Sequence, residues 1–264
     1  MPGIHYTENG DGFPVILIHG FCEDHHIWEQ IVPGLSAEFR VITIDLPGFG
    51  ESAALEMGHS IDDAAEVVLD FISNDLKINS CIALGHSLGG YVVLAMADKK
   101  ESLLAGMGLI HSTANADSSE RRIARNKVIE FVTSHGVAPF VQSFIPPLFF
   151  DPANAVIPGI VEIAKRTPSS TLLSYTEAMR DRPDRNKVLK DFNNPILFLA
   201  GEHDTIIPLE SIRAQGLQAK QPTLAVLEKT AHMGMLERVN ETAEAILSFV
   251  RHAASHSGRQ KETI

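Results

Sequence analysis

One serine in this chain of 264 residues has the neighbours of a nucleophile. The segment Gly85-His86-Ser87-Leu88-Gly89 directly follows the apolar run Cys81–Leu84 and leads into the helical run Tyr91–Ala97. A G-x-S-x-G motif between a strand and a helix forces the serine into a tight turn, from which its hydroxyl projects. Glycines at these positions could also serve only to let the helix pack closely on the strand. The context favours Ser87 as a nucleophile.

Two later loops carry the partners that a serine hydroxyl needs. Serine is a weak nucleophile near neutral pH, so it requires an adjacent base that is oriented by a carboxylate. Asp204 follows the apolar run Ile196–Ala200, and His232 follows the run Leu224–Leu227. The order serine, acid, histidine is the one that accompanies a G-x-S-x-G turn. We therefore predict a catalytic set of Ser87, Asp204 and His232, separated by 117 and 28 positions.

The apolar pattern predicts the elements that must position these side chains. Continuous apolarity over four or five residues indicates strands that are covered on both faces. Helical periods lie between several of these runs, for example at residues 28–35. The alternation predicts an α/β fold with a doubly wound, mostly parallel sheet. The predicted strands are Val15–Ile18, Val41–Ile44, Cys81–Leu84, Met107–Ile110, Ile196–Ala200 and Leu224–Leu227.

The alternation of strand and helix fails in the middle of the chain. Between about residues 112 and 191 no run looks like a strand, and prolines separate segments of helical character. We predict a core formed by residues 1–111 and 192–264, with an all-helical cap insertion at 112–191. The helices predicted within it are Ser118–His135, Asn154–Arg166 and Ser169–Asp181.

The charge of the chain bears on its partners. The 22 Lys and Arg residues face 33 Asp and Glu residues, which gives a formal charge of −11. Long-range repulsion argues against nucleic acid and against an anionic membrane as partners, so we expect a small-molecule substrate alone. Residues 1–110 carry 4 basic and 16 acidic side chains, whereas residues 111–194 carry 11 and 9. The predicted cap is therefore neutral to basic over an acidic core, and the question of a homo-oligomer stays open.

Cysteine usage and the N-terminus bear on the cellular compartment. Cys22 and Cys81 are too few for a disulfide framework and lack the spacing of a metal site, which indicates reduced thiols. The first residues show no basic segment followed by an apolar one, and no long uninterrupted apolar stretch occurs. We therefore expect a cytoplasmic protein.

A cluster of histidines and carboxylates at residues 23–26 raises the question of a metal. Histidine and carboxylate are zinc ligands. However, no H-E-x-x-H motif is present, and two adjacent histidines at a helix start are expected to point in different directions. We predict instead a solvated loop in which Asp24 caps the following helix, with no metal site.

Five short motifs, spread over nearly the whole chain, share one family pattern. They are His19-Gly20-Phe21, Asp45–Ser52, the G-x-S-x-G segment, Gly201–Asp204 and Ala231-His232. Together they resemble the α/β-hydrolase superfamily, and among its members small serine esterases, enol-lactone hydrolases and C–C bond hydrolases. The resemblance implies an eight-stranded, mostly parallel sheet, a helical cap after strand six and an active site between cap and core. Asp45, a rival for the acid, would then belong to a structural turn.

The resemblance also implies the groups that bind a developing oxyanion. Two backbone N–H groups would face it, one from Leu88 at a helix N-terminus and one from Phe21. His19 is expected to order the loop of Phe21 by a hydrogen bond, and His86 to support the turn of the nucleophile.

Three residues are candidates for contact with substrate. His111 ends the strand Met107–Ile110, and the carboxyl ends of strands face the site in such sheets. It could line the pocket or make only structural hydrogen bonds. Phe140 and Phe144 belong to residues 139–150, which hold four of the thirteen phenylalanines. That segment could wall a hydrophobic pocket or pack the cap on the core, and both interpretations stay open.

These inferences predict a serine hydrolase that cleaves a small, largely apolar carboxylic ester or lactone through an acyl-enzyme on Ser87. No cofactor is required. C–C bond hydrolysis and perhydrolase or acyltransferase chemistry use the same triad and stay as alternatives. Position 87 is not aspartate, which disfavours dehalogenase and epoxide hydrolase chemistry. An alternative of another class is a ligand-binding, receptor-like protein, because one fold hosts many functions.

Overall fold

A seven-stranded sheet forms the centre of the protein, whose computed structural model describes residues 3–261. Its strands are β1 (Tyr6–Asn9), β2 (Pro14–Ile18), β3 (Arg40–Ile44), β4 (Cys81–His86), β5 (Leu104–Ile110), β6 (Ile196–Gly201) and β7 (Pro222–Leu227). They lie in the order β1-β3-β2-β4-β5-β6-β7. The last six are parallel, and β1 pairs antiparallel with β3 at one edge.

The interior strands are the apolar runs of the sequence. Every residue of β4, β5 and β6 is buried, as expected where helices cover both faces of a parallel sheet. The predicted α/β fold with a doubly wound, mostly parallel sheet is confirmed, and each of the six predicted strands is present. The sequence does not indicate β1, because its four residues are mostly polar and exposed and are held by pairing with β3.

The number of strands differs from the eight that the resemblance implied. Among residues 3–261 the sheet has seven, with β1 as the antiparallel strand that precedes the parallel ones. A turn at residues 10–13, with positive φ at Gly10 and Gly12, joins β1 to β2. This connection is too short to contain a further strand.

Helices flank the sheet. They are α1 (Val32–Ser36), α2 (Ile61–Asp70), α3 (Leu88–Lys100), α4 (Ser119–His135), α5 (Val137–Phe144), α6 (Ile157–Lys165), α7 (Ser169–Asp181), α8 (Asn186–Asp191), α9 (Leu209–Gly216), α10 (Gly234–Glu237) and α11 (Val239–Lys261). α2 begins at a capping box, in which Ser60 and Asp63 each accept the other's backbone N–H. Within the described part of the chain, no helix has both the length and the apolarity that crossing a membrane demands.

The chain between β5 and β6 is helical. Helices α4 to α8 occupy it, and residues 112–191 contain no strand. We call these residues the helical insertion. The predicted helices correspond to α4, α6 and α7, whereas α5 and α8 were not predicted. α5 tolerates Pro139 because this proline lies in its first turn, where a backbone N–H has no helical acceptor. Near the two ends of the insertion, Asp117 and Arg182 form a buried ion pair at 2.8 Å.

The carboxyl ends of the parallel strands create the place for a site. The strand order reverses between β2 and β4, and the connections on either side of such a switch point leave a crevice. Residues 19–23 follow β2, and Ser87 follows β4. His111, Asp204 and His232 follow β5, β6 and β7 in turn. The topology therefore gathers the predicted residues at one edge of the sheet.

Candidate active site

Ser87 occupies a strained turn between β4 and α3. Its backbone has φ 48° and ψ −110°, a positive φ that residues other than glycine rarely adopt. A Cβ on Gly85 would overlap the backbone of Gly89, and a Cβ on Gly89 would lie 2.5 Å from the Ile18 carbonyl oxygen. Glycine is therefore needed on both sides. The Ser112 hydroxyl donates to the Ser87 carbonyl oxygen at 2.7 Å and supports the turn from the end of β5.

Asp204 and His232 form a directed pair. His232 Nδ1 lies 2.8 Å from Asp204 Oδ2, and both side chains are buried. Asp204 Oδ1 accepts hydrogen bonds from the backbone N–H groups of Ile206 and Ile207. Burial alone would raise the pKa of Asp204, but the electrostatic attraction and the hydrogen bond of His232 hold that pKa well below its usual range. Because an ionised carboxylate can only accept, the proton of neutral His232 lies on Nδ1 and the lone pair on Nε2.

Ser87 makes no hydrogen bond to this pair in the structure. Among the described residues, His232 makes its side-chain hydrogen bond to Asp204 and none to the Ser87 hydroxyl. Such contacts are often long in sites without substrate and tighten in the complex. His86, which precedes Ser87, places its Nε2 3.0 Å from the His232 carbonyl oxygen. The nucleophile turn and the histidine loop are thereby tied together.

The loop after β2 is held so that the Phe21 N–H points outward. The Leu46 N–H donates to His19 Nε2 at 2.9 Å, so the His19 proton lies on Nδ1, which donates to the Gly20 carbonyl oxygen at 2.7 Å. A trans peptide points its C=O and N–H in opposite directions, so the Phe21 N–H faces away from His19. On the other side, the Gly20 N–H donates to Glu23 Oε2 at 2.6 Å. His19 therefore orders this loop, as predicted.

The two amides predicted to bind an oxyanion have the surroundings that such a role needs. Leu88 begins α3, and the first N–H groups of a helix have no partner within it. In the turns, loops and caps of residues 3–261, neither the Leu88 nor the Phe21 N–H donates to a backbone acceptor. Free N–H groups at a helix start attract negative charge. Their role as an oxyanion hole stays a prediction.

A buried pair that the sequence did not indicate lies behind the nucleophile turn. Glu23 Oε2 is 2.9 Å from His86 Nδ1, and the two side chains are 2% and 1% exposed. Burial alone would raise the pKa of Glu23, but the charge and hydrogen bond of His86 hold this pKa below its ordinary value. Burial alone would lower the pKa of His86, but the Glu23 carboxylate raises it. The prediction of a solvated loop at residues 23–26 is therefore wrong for Glu23.

Glu237 was also missed, because its partners are brought to it by the fold. One carboxylate oxygen accepts from the Ala231 N–H at 3.0 Å and the other from the Phe150 N–H at 2.7 Å. Burial raises the pKa of Glu237. The His232 N–H donates in turn to the Leu148 carbonyl oxygen at 2.9 Å. The loop that carries His232 is therefore bonded to the helical insertion.

His111 lies behind Asp204 and not in a pocket. Its side chain is fully buried, and its Nδ1 is 3.4 Å from Asp204 Oδ2 without an aligned hydrogen bond. Burial lowers the pKa of His111 to about 4, so the ring is neutral at pH 7. Full burial favours the structural interpretation of His111, and its contact with substrate stays a prediction. Its packing against the Asp204 carboxylate depends on strand order, which motifs do not show.

Phe140 and Phe144 lie over the loop of Phe21. Their rings stack with centroids 5.1 Å apart, and the Phe21 ring makes edge contacts with them at 6.5 and 6.0 Å. Phe144 is partly exposed, whereas Phe140 is buried. One face of α5 thus covers the predicted oxyanion loop, and direct contact of these rings with substrate stays a prediction.

The histidines at positions 25 and 26 are both held by carboxylates. Asp24 caps the short helix that follows, as predicted, by accepting the His26 N–H at 3.1 Å. The expectation that the two imidazoles point apart is wrong, because their centroids lie 4.1 Å from each other. His25 Nδ1 bonds Asp45 at 2.9 Å, and His26 Nδ1 bonds Asp24 at 2.8 Å. Asp45 thus belongs to this structural network and not to His232.

Known proteins share the fold of this chain. A family model described as "alpha/beta hydrolase fold" matches residues 14–129. A thermophilic esterase from Thermogutta terrifontis superposes with a TM-score of 0.90 at 30% sequence identity, over 96% of this chain and 94% of that one. The chain belongs to the α/β hydrolase superfamily.

Two curated relatives of this α/β hydrolase are similar to it in sequence over most of its length. It is 29% identical over 245 residues to a pimeloyl-[acyl-carrier protein] methyl ester esterase from Neisseria meningitidis, which covers 89% of this chain and 76% of the esterase. It is 31% identical over 249 residues to the dihydrolipoyllysine-residue acetyltransferase component of the acetoin cleaving system of Pseudomonas putida. That match covers 91% of this chain but 64% of the longer relative. The predicted superfamily and the prediction of a hydrolase enzyme are confirmed.

Proposed function

We propose that this α/β hydrolase cleaves a small, largely apolar carboxylic ester or lactone through an acyl-enzyme on Ser87. The observation that carries the proposal is the Asp204–His232 pair at 2.8 Å, whose histidine loop is bonded by His86 to the turn that holds Ser87 at positive φ. The carboxylate keeps the His232 proton on Nδ1 and leaves Nε2 as a base for a serine hydroxyl. The names of the esterases among the relatives agree with this chemistry.

The proposed reaction has two halves. In the first, His232 Nε2 takes the Ser87 proton as the oxygen attacks the substrate carbonyl, and the Phe21 and Leu88 amides bind the oxyanion. Protonated His232, stabilised by Asp204, then gives its proton to the leaving alcohol. In the second half, water gives a proton to the same base and attacks the acyl-enzyme, which releases the acid and restores Ser87.

The aromatic surface above the predicted oxyanion loop supports an apolar substrate. Phe21, Phe140 and Phe144 contact one another there and present ring edges and faces instead of charges. The transfer of an apolar acyl or alcohol group from water to such a surface lowers the free energy of binding. Charged side chains of the insertion, such as those of Asp117 and Arg182, are paired with each other at its ends.

A fluorophosphonate probe and a serine variant test the proposal. The wild-type protein should be labelled at Ser87 and should hydrolyse p-nitrophenyl esters. Ser87→Ala should lose labelling and at least about 10³-fold in kcat, because serine, base and acid act as a unit. Ser143→Ala, which alters a serine of α5, serves as the matched control and should keep both. Full turnover by Ser87→Ala would show that the proposed function is wrong.

A further inference from the structure

Three loops of the proposed site meet at one buried pair of side chains. Glu23 Oε2 accepts the Gly20 N–H at 2.6 Å and lies 2.9 Å from His86 Nδ1. His86 Nε2 lies 3.0 Å from the His232 carbonyl oxygen. Gly20 belongs to the oxyanion loop, and His86 directly precedes Ser87. The pair therefore bonds the loops of oxyanion, nucleophile and base to one another.

The hydrogen-bond partners bear on the protonation state of this pair. A carbonyl oxygen can only accept, so His86 Nε2 must carry a proton to bond His232. His86 Nδ1 faces a Glu23 oxygen that already accepts the Gly20 N–H, so both ring nitrogens face acceptors. An imidazolium beside a carboxylate satisfies all of these contacts. The raised pKa of His86 and the lowered pKa of Glu23, set by their mutual attraction against burial, agree with this assignment.

The backbone of the oxyanion loop is in direct contact with the pair. A Cβ on Gly20 would lie 2.6 Å from His86 Nδ1 and 2.7 Å from Glu23 Oε2, so the pair occupies the space that a side chain would need. The next peptide along the chain carries the Phe21 N–H. A shift of Glu23 would therefore move the Gly20 backbone and, with it, the predicted oxyanion donor.

We propose that Glu23, paired with His86, is a positioning residue. It keeps the oxyanion loop, the nucleophile turn and the histidine loop in fixed positions relative to one another. The inference rests on the proposed function. Because Glu23 is buried behind the turn, it acts through the placement of other groups. Misplaced oxyanion donors weaken the binding of the transition state more than the binding of the substrate, so the effect should fall on kcat and spare KM.

Variants at position 23 separate hydrogen bonding from bulk. Glu23→Met removes the carboxylate and keeps the length of the side chain. It should lower kcat about 100-fold, near the effect of losing one oxyanion donor, and leave KM within about threefold. The affinity for a trifluoromethyl ketone, which mimics the tetrahedral intermediate, should fall by the same factor as kcat/KM. In Glu23→Gln an amide oxygen in the place of Oε2 can still accept from both the Gly20 N–H and His86 Nδ1, without the negative charge, so kcat should stay within about tenfold of wild type.

A double variant separates positioning from stability. Glu23→Met alone leaves His86 buried without its carboxylate, which destabilises a protein and can prevent folding. Glu23→Met with His86→Phe replaces both partners by apolar side chains, so the melting temperature should return toward that of wild type. The loss in kcat should persist. As a control, Asp62→Asn breaks the remote Asp62–Arg185 pair at 2.7 Å, and it should lower stability while keeping kcat.

The possible outcomes test the role of Glu23 separately from the proposed function. A folded double variant with wild-type kcat would overturn it, and so would a loss confined to KM. A folded Glu23→Gln protein as slow as the Glu23→Met protein would overturn the hydrogen-bond assignment. If Ser87→Ala keeps its turnover, the proposed function fails whatever Glu23 does. If Ser87 is labelled in wild type but Glu23→Met keeps its kcat and its affinity for the ketone, this inference alone fails.

Discussion

The crevice edge of the sheet and the helical insertion are held together by different forces. At the crevice edge, buried polar side chains such as Asp204, His232 and Glu23 each bond a neighbouring loop. Over the predicted oxyanion loop, the insertion meets this edge through apolar contacts, among them the rings of Phe140 and Phe144. Hydrogen bonds are directional and fix atoms closely, whereas apolar contacts are non-directional and tolerate repacking. The difference suits the first region to chemistry and the second to the choice of substrate.

The largest effect should come from the carboxylate that directs His232. Asp204→Asn presents an amide to the imidazole and favours the wrong tautomer, so kcat should fall about 10⁴-fold, as in the Ser-His-Asp proteases. Asp45→Asn makes the same chemical change at another buried carboxylate, one that bonds His5 and His25. It should leave kcat within about tenfold. Equal losses in the two variants would contradict the assignment of Asp204.

The acid sensitivity of the crevice edge should depend on His111. Its pKa is about 4 in the folded protein and about 6.5 in an unfolded chain, so the unfolded state binds the proton first as pH falls. Below pH 6.5 this group therefore lowers the free energy of unfolding, by about 2 kcal/mol at pH 5 and about 3 kcal/mol at pH 4. His86, whose pKa is raised, acts with the opposite sign: its stabilisation is fully present only well below pH 6.5 and is lost as pH rises through its folded-state pKa. This contribution is common to wild type and to variants at position 111, so it cancels when they are compared.

His111→Asn tests this acid sensitivity. The variant has no titrating group, and asparagine tolerates the positive φ of 48° at this position. Its unfolding free energy, measured with urea, should change less than that of wild type between pH 7 and pH 5. His135→Asn, at an exposed residue of the insertion, should keep the wild-type slope. A wild-type slope in His111→Asn would exclude burial of this ring as the cause.

The next largest difference between the crevice edge and the insertion should be in how well each tolerates an added methyl group at a glycine. In Gly89→Ala, the new Cβ would lie 2.5 Å from the Ile18 carbonyl oxygen, so α3 must move away from β2. The expected cost is about 1–3 kcal/mol of unfolding free energy, measured by urea denaturation. In Gly159→Ala, on α6 of the insertion, the Cβ would meet no atom within 4 Å. That variant should be more stable than wild type by about 0.4–1 kcal/mol, because alanine leaves the unfolded chain less conformational entropy than glycine does. Similar changes in unfolding free energy in the two variants would contradict the expected difference in packing between the two regions.

The smallest effect should be one of selectivity. Phe144→Ala removes a partly exposed ring that contacts Phe21. It should lower kcat/KM about tenfold for an ester with a long apolar acyl chain, since lost apolar contacts discriminate by this order. The value for an acetyl ester should change less than about twofold. Phe131→Ala, at a phenylalanine of α4 that stacks on His135, should alter neither value. An equal loss of kcat/KM for all esters would mean that Phe144 affects the chemical step and not the choice of substrate.

Local patterns were sufficient for much of the fold and of the catalytic set. The six parallel strands are continuous apolar runs, and helices α4, α6 and α7 follow their own helical periods. The turn of Ser87 is determined by the glycines beside it, and the order of Ser87, Asp204 and His232 follows strand ends that the apolar pattern marks. α5 and α8 were not predicted, since they are short and their stability comes from packing.

The α/β architecture and the candidates for nucleophile, acid and base can be predicted from sequence, because those signals lie within a few neighbouring positions. The pairing of Glu23 with His86, which lies 63 positions away, becomes visible only in the folded chain. The same holds for the packing of His111 behind Asp204 and for the contact of Phe144 with Phe21. These relations depend on which strands are neighbours and on where loops from distant parts of the chain meet. A hydrogen bond or a ring contact between such loops has no periodicity, so no local pattern in the sequence records it.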